Sequence, residues 1–220
     1  MSLTPEPPFP EAGALFYQEL TLHNERPWWR ENKDRWERTV REPLERIMAA
    51  LAPEFGEAKL FRPYRDLRYG KDKTPYKMHQ GAYVETMPAA GWYAELGVGG
   101  LSCGGGFYNA RPRELAAYRK AVTNAARGHE LEVILEGLTA DGWEVRGDTL
   151  LTAPRGYEQS HPRIALLRHT NLSVRRAIGP EVTGEDSAIE RIAADWREIE
   201  PLVAWVSDEF EKVARTEESA

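Results

Sequence analysis

A group of basic and aromatic residues lies between Arg62 and His79, and residues of these types commonly bind anions. The stretch from Arg62 to Lys77 carries six basic and two acidic residues, although the whole chain has a net charge of −6. Arginine binds phosphate or carboxylate through paired N–H donors, and lysine binds them as a point charge. The segment therefore predicts a site for an anionic small molecule. Its candidate ligand-binding residues are Arg62, Arg65, Asp66, Arg68, Lys73, Tyr76, Lys77 and His79.

The alternation within this segment suggests how such a site is built. In a strand over residues 61–69, Arg62, Tyr64, Asp66 and Arg68 share one face, so that Asp66 holds two guanidinium groups in fixed orientation. A second interpretation is an arginine–aspartate lattice that fastens the loop to the sheet, with lysines exposed for solubility. The sequence leaves both open.

A second basic segment runs from Arg146 to Arg176, again with six basic and two acidic residues. Its loop, PRGYEQSHP, adds Arg155, Tyr157 and His161 as candidate ligand-binding residues. His161 has the chemistry of a proton shuttle near neutral pH. We favour a plainer role, in which Ser160-His161-Pro162 caps the short helix that follows. If this loop packs over residues 65–77, the two basic segments form one pocket.

The glycine-rich run SCGGGFYNARP at residues 102–112 has two interpretations. A glycine-rich strand end that leads into a helix presents backbone N–H groups to an anion. Close packing of backbone against a neighbouring element explains the glycines equally simply, and we favour it. The run lacks the Gly-Lys-Ser/Thr of a phosphate-binding Walker loop.

No other motif in the sequence predicts a metal site or a catalytic centre. The five histidines have no metal-ligand spacing, and the single cysteine, Cys103, does not complete a zinc site, so we predict no metal. We also predict no cofactor, and no residue is assigned as catalytic. No GxSxG elbow is present for a serine hydrolase. Cys103 fits best as a small buried residue.

The composition of the chain argues against some classes of binding partner. The net charge of −6 argues against extended nucleic-acid binding, and no apolar run approaches the roughly 18 residues that a membrane helix needs. A lone cysteine and an N-terminus without a basic start or an apolar stretch favour a cytoplasmic protein. The alternative to a small-molecule site is a non-catalytic module that contacts protein or nucleic acid through the same basic face. The oligomeric state stays open.

Hydrophobic periodicity predicts helices at both ends of the chain and strands in the middle. Helices are expected over residues 12–22, 24–55 with a kink at Pro43, 112–122, 129–138, 164–168 and 189–213 with a break at Pro201. Strands are expected over residues 61–69, 81–87, 91–102 and 172–178, with a hairpin formed by 143–146 and 149–153. This order predicts an α+β fold in which a central antiparallel or mixed sheet has helices from both chain ends packed mainly on one face.

Residues 1–220 are predicted to form a single domain, with 1–10 and 215–220 as flexible tails. The run RDLRYGKDKTPYKMH, from Arg65 to His79, is similar to a signature of a bacterial and fungal family known as domain of unknown function 2461. Further segments resemble that family in consistent order over residues 9–213: NERPWWRENKDRWERTVREPL, GWYAELGVGGLSCGGGFYNARPREL and APRGYEQSHPRIALLRHTNLSV. The resemblance implies no particular activity, cofactor or catalytic residue.

Overall fold

The computed structural model describes residues 7–66, 68 and 73–218, with the side chains of 216–218 excepted. These residues form an α+β fold around a six-stranded antiparallel sheet in the order β1-β2-β3-β4-β6-β5. The strands are β1 Ala58–Leu60, β2 His79–Met87, β3 Ala90–Gly97, β4 Gly100–Phe107, β5 Glu144–Arg146 and β6 Leu172–Ala177. The predicted α+β class is therefore confirmed.

The helices occupy the ends of the chain and the stretch between β4 and β6. They are α1 Glu11–Leu22, α2 Arg26–Trp36, α3 Glu42–Phe55, α4 Pro112–Thr123, α5 Ala125–Ala140, α6 Ile164–Leu167, α7 Glu185–Glu198 and α8 Glu200–Glu218. The predicted break at Pro201 is confirmed by the boundary between α7 and α8.

The described residues divide into two compact units. The first is drawn from Met1–Val84, Tyr93–Cys103 and Ala177–Ala194, and the second from Glu85–Trp92, Gly104–Arg176 and Asp195–Ala220. The prediction of a single domain stays a prediction.

A turn of π-helix at Glu37–Arg41 separates α2 from α3. Pro43 follows at once, and proline has no N–H to donate to the carbonyl oxygen of Thr39 four residues earlier. A wider turn accommodates the proline, and the helical run is divided into α2 and α3 just before Pro43. In the first unit the carbonyl oxygen of Thr39 lies close to Gly13 of α1, where an added Cβ would lie 2.9 Å from it. Glycine at position 13 therefore lets α1 approach the π-helical turn.

Each unit has its own apolar core. Aromatic and aliphatic side chains of α1, α2 and α3 fill the first, with Phe16, Trp36 and Leu44 at most 2% exposed. The second is centred on Tyr118 and Trp205, whose rings meet edge to face at 6.1 Å between centroids. Burial of such large rings is the main source of stability in each unit.

The strand predicted over residues 61–69 is wrong for the part of it that the structure describes. Within residues 61–66 there is an isolated antiparallel bridge from Tyr64 to Tyr76 instead of a ladder. Pro63 and Pro75 flank this bridge, and a proline cannot donate a ladder hydrogen bond. The alternation expected from a regular strand therefore does not hold.

Two further predictions about strands are wrong. The strand expected over residues 91–102 is a hairpin that turns at residues 98–99, and Gly100 has a φ of 87°, which glycine adopts readily. The hairpin expected within residues 143–153 does not form, because β5 pairs with β6. A local turn signal at Gly147-Asp148 was outweighed by pairing with a strand more than 25 residues later.

Parts of the two predicted tails lie within the described residues. Phe9 is buried, so the chain is fastened just before α1. At the other end α8 extends to Glu218. Residues 1–6, 219 and 220 lie outside the described residues.

Candidate functional site

Backbone hydrogen bonds join the two arms of the basic segment, residues 63–65 and residues 75–77. Arg65 N donates to the carbonyl oxygen of Pro75 at 2.9 Å, and Lys77 N donates to that of Pro63 at 2.8 Å. Lys71 and the other residues of 69–72, together with residue 67, lie outside the described part of the chain. The arms therefore place residues 63–65 beside 75–77.

Asn24 anchors this segment at the start of α2. Its amide accepts a hydrogen bond from Tyr76 N at 3.1 Å and donates one to the carbonyl oxygen of Tyr76 at 3.0 Å. The same Nδ2 contacts Met78 Sδ at 3.2 Å. Asn24 thus pairs with the backbone of Tyr76 as a neighbouring strand would, and fixes the position of Tyr76.

The ring of Tyr76 has two aromatic neighbours. It stacks on Trp29 of α2 with the ring centroids 4.1 Å apart and an interplanar angle of 11°, and the centroid of the tilted Tyr64 ring lies 5.6 Å away. Burial raises the pKa of the Tyr76 hydroxyl and Tyr64 raises it further, whereas the charges of Arg26 and Arg30 act to lower it. The positive charges of two α2 arginines therefore favour the ionised form of the Tyr76 hydroxyl.

We name Arg26, Arg30, Tyr64 and Tyr76 the arginine–tyrosine patch. Both arginines are exposed, and Tyr64 is 55% exposed. Sequence reasoning missed the arginines, because they precede the basic segment by more than thirty positions. The available signal was their spacing about Trp29, since residues three or four apart on a helix are neighbours on its surface.

The remaining cations of the basic segment are arranged differently from the sequence prediction. Arg68 binds Asp66 through two parallel hydrogen bonds of 2.9 and 2.7 Å. These side-chain bonds, joined by one from the backbone of Arg68, lower the pKa of Asp66 to about 2. Arg65 donates to Thr74 Oγ1 at 2.8 Å, and Arg62 is exposed, as is Lys73. Asp66 thus neutralises Arg68, which agrees with the arginine–aspartate interpretation at that position.

Lys77 and His79 contact a different set of residues. Lys77 Nζ lies 5.3 Å from the ring centroid of Phe61. His79 is 42% exposed at its side chain, and its Nε2 is 3.9 Å from Oε2 of Glu95 on β3. His79 therefore lies beside a carboxylate and has no contact with the arginine–tyrosine patch among those described.

In the second unit, arginines of the second basic segment, residues 146–176, bind carboxylate or carbonyl oxygen atoms. Arg176 Nη1 contacts both Asp195 at 2.8 Å and Glu198 at 2.7 Å, and its guanidinium lies 4.2 Å from the Trp143 centroid. Hydrogen bonding to Glu198 raises the pKa of Arg176. Other pairs are Arg146 with Glu144, Arg163 with Glu132, and Arg168 with the carbonyl oxygens of Leu150 and Leu151.

The loop at residues 154–162 leads directly into α6, whose N-cap residue is Arg163 without a side-chain cap hydrogen bond, so the favoured cap by residues 160–162 does not form as predicted. His161 Nδ1 accepts from Arg163 N at 3.0 Å, and Ile164 N donates to the carbonyl oxygen of His161 at 2.9 Å. Arg155 is exposed, and Tyr157 is half-buried in a turn closed by Pro154. The two basic segments belong to different units, so a shared pocket stays a prediction.

The glycine triplet packs closely against its neighbours. A Cβ at Gly104 or Gly106 would collide with the backbone of β6, and one at Gly105 would lie 2.8 Å from Val203. Close packing therefore explains these glycines. Cys103, next to the triplet, is 1% exposed, as expected for a small buried residue.

A shallow cavity lies away from the predicted site, between α3 and β1. Its volume is about 280 Å³, and its charged lining includes Arg41 and Glu45, which bond to each other at 2.8 Å. Among residues 7–66, 68 and 73–218, no group of three or more histidine, cysteine or acidic residues is placed to hold a metal ion. No described helix has the length and apolar character needed to cross a membrane.

The fold and its site define an α+β protein with a charged, aromatic surface segment. A family model described as "Conserved hypothetical protein (DUF2461)" matches residues 13–205, so the chain belongs to that family. Searches of curated proteins and of solved structures gave no significant match.

Proposed function

We propose that the protein binds an anionic small molecule, one that carries a phosphate or carboxylate group, at the arginine–tyrosine patch. The observation that carries the proposal is the stacking of Tyr76 on Trp29 of α2, because Arg26 and Arg30 lie on that helix within one turn of Trp29. Guanidinium groups and phenol hydroxyls are all hydrogen-bond donors, and an anion accepts from each of them.

The patch is partly organised before any ligand arrives. Asn24 fixes the backbone of Tyr76, and Trp29 fixes its ring. A donor that is already immobile loses little conformational entropy on binding, so more of the interaction energy appears as affinity. The arginines are exposed, and their attraction for an anion is therefore screened by salt.

The competing proposal, a surface that contacts protein or nucleic acid, uses the same positive charges. The fixed tyrosine favours a small ligand, because a phenol hydroxyl at a defined position selects one acceptor geometry. We further propose that the protein acts in the cytoplasm, which its single cysteine supports.

A thermal-shift assay tests the binding proposal. Inorganic phosphate, sugar phosphates, nucleotides and citrate are added at constant ionic strength to wild type and to the double variant Arg26→Ala/Arg30→Ala. A ligand at 100 times its Kd stabilises the native state by about 2.7 kcal/mol, or roughly 5–10 °C in Tm for a chain of this size. We expect at least one compound to produce such a shift in wild type and the double variant to lose it.

The matched control is Arg113→Ala/Lys120→Ala, which removes two exposed cations from α4. This control should keep the shift. Equal shifts in wild type and in Arg26→Ala/Arg30→Ala would refute the proposed site. Binding of an oligonucleotide without any small-molecule shift would favour the competing proposal.

A further inference from the structure

Glu95 of β3 lies at the centre of a polar cluster within the first unit. Its Oε2 accepts the Tyr93 hydroxyl hydrogen bond at 2.8 Å, and its Oε1 is 3.5 Å from Ser102 Oγ. His79 Nε2 approaches the same Oε2 to 3.9 Å. The Glu95 side chain is 20% exposed and Ser102 is buried, whereas His79 is open to solvent.

Glycines make room for this cluster on the sheet. A Cβ at Gly81 would lie 2.5 Å from the hydroxyl oxygen of Tyr93, and one at Gly97 would lie 3.0 Å from the Cβ of His79. Tyr93 and Glu95 are two residues apart on one strand and so share a face of the sheet. The absence of side chains at two neighbouring positions is therefore what lets the tyrosine and the imidazole lie beside Glu95.

From this geometry we infer that His79 and Glu95 form an acid–base pair that takes a proton from a small anionic ligand bound on this face. His79 Nε2 approaches the carboxylate to 3.9 Å, so a proton held on Nε2 leaves Nδ1 as the proton acceptor. An O–H or C–H bond of the ligand breaks, its electron pair stays on the ligand, and an N–H bond forms at Nδ1. Glu95 stabilises the resulting imidazolium, and Tyr93 is a positioning residue that holds the carboxylate.

The chemical class of the ligand follows from the neighbouring side chains. The ring centroids of Phe61 and Tyr93 are 6.2 Å apart. The Phe61 ring also contacts Lys77, which belongs to the basic segment. An unbroken series of contacts thus joins a cation, two aromatic rings and the acid–base pair. A small molecule with a negative group for Lys77 and an acidic proton for His79 matches this series. The site shares no residue with the arginine–tyrosine patch, so the two proposals stand or fall separately.

A general-base probe tests the inference without knowledge of the natural ligand. In 5-nitrobenzisoxazole, removal of the C–H proton forms a nitrile, breaks the N–O bond and releases a coloured phenolate, so every electron pair is accounted for. We expect wild type to accelerate this reaction and His79→Ala to lower the rate by about 100-fold, the lower end of general-base effects. His129→Ala removes a more exposed histidine, 73% exposed at its side chain, from α5 and should leave the rate unchanged.

Two further measurements separate a proton-transfer role from a structural one. In Glu95→Gln, which keeps the shape of the side chain and removes its charge, the rate should fall, because the imidazolium formed at His79 loses its counter-charge. Glycerol 3-phosphate should inhibit wild type, and inhibit Lys77→Met less. The inference is overturned if either His79→Ala or Glu95→Gln, shown to be folded by circular dichroism, matches wild type.

Discussion

The two basic segments have the same charge balance in the sequence but different structural roles. In residues 62–79 of the first unit, Asp66 neutralises Arg68, while Arg62 and Lys73 are exposed. In residues 146–176 of the second unit, Arg176 is 15% exposed at its side chain and contacts two carboxylates. Equal local charge therefore accompanies exposed cations in one case and internal ion pairing in the other.

The difference comes from the sequence distance of the acidic partners. Asp195 and Glu198 follow Arg176 by about 20 residues, and Glu132 precedes Arg163 by 31. A count of charges within a segment cannot include partners that only the fold supplies. The first segment gains partners from the fold as well, but these are the uncharged side chains of Asn24 and Trp29.

The largest predicted effect concerns Arg176. Arg176→Met would leave the buried carboxylate of Asp195 without this counter-charge, and loss of one partner of a buried pair costs about 3–5 kcal/mol. Urea denaturation should show a loss of this order. Arg68→Met, which removes an arginine that is 74% exposed, should leave the unfolding midpoint unchanged. Similar losses for both variants would remove the distinction between the segments.

A smaller effect is expected at Asn24. Asn24→Ala deprives the backbone N–H and C=O of Tyr76 of their hydrogen bonds, which should lower the free energy of unfolding by about 1–3 kcal/mol. Asn32→Ala, whose amide makes one hydrogen bond to the backbone of its own helix, is the control and should cost less. If the two variants unfold at the same urea concentration, Asn24 is not the anchor of the basic segment.

The smallest effect is the pH response of His169 in the second unit. Burial lowers its pKa below the ordinary value of 6.5, although a hydrogen bond to the carbonyl oxygen of Asn171 partly opposes this. The unfolded chain then binds a proton more readily than the folded one, so stability should fall as pH drops below about 6.5, by less than about 1.4 kcal/mol per pH unit. Chemical denaturation at pH 7.5, 6.0 and 5.0 measures this. His169→Gln should flatten the dependence, and an unchanged slope would show that other groups cause it.

Much of the fold follows from sequence periodicity, but the site does so only in part. The spacing of Leu44, Ile47 and Leu51 predicts a helix, and α3 contains all three with their side chains buried. Pairing of β5 with β6 could not be predicted, because a turn signal is local and strand pairing is not. Tyr76 was predicted as a ligand-binding residue because it lies beside lysines in the sequence. Its stacking on Trp29 could not be predicted, because the two residues are 47 positions apart and meet only in the fold. Glu95 had no signal, since an isolated acidic residue in a strand usually faces solvent.

The most direct measurement of the central claim follows the arginine side chains themselves. In a ¹⁵N NMR titration with inorganic phosphate at constant ionic strength, the Nε–H signals of Arg26 and Arg30 should shift together and saturate. The signal of Arg176, already bonded to carboxylates, should stay in place. If Arg26 and Arg30 remain unmoved while phosphate binds elsewhere, or shift only in proportion to salt, the arginine–tyrosine patch is not an anion site.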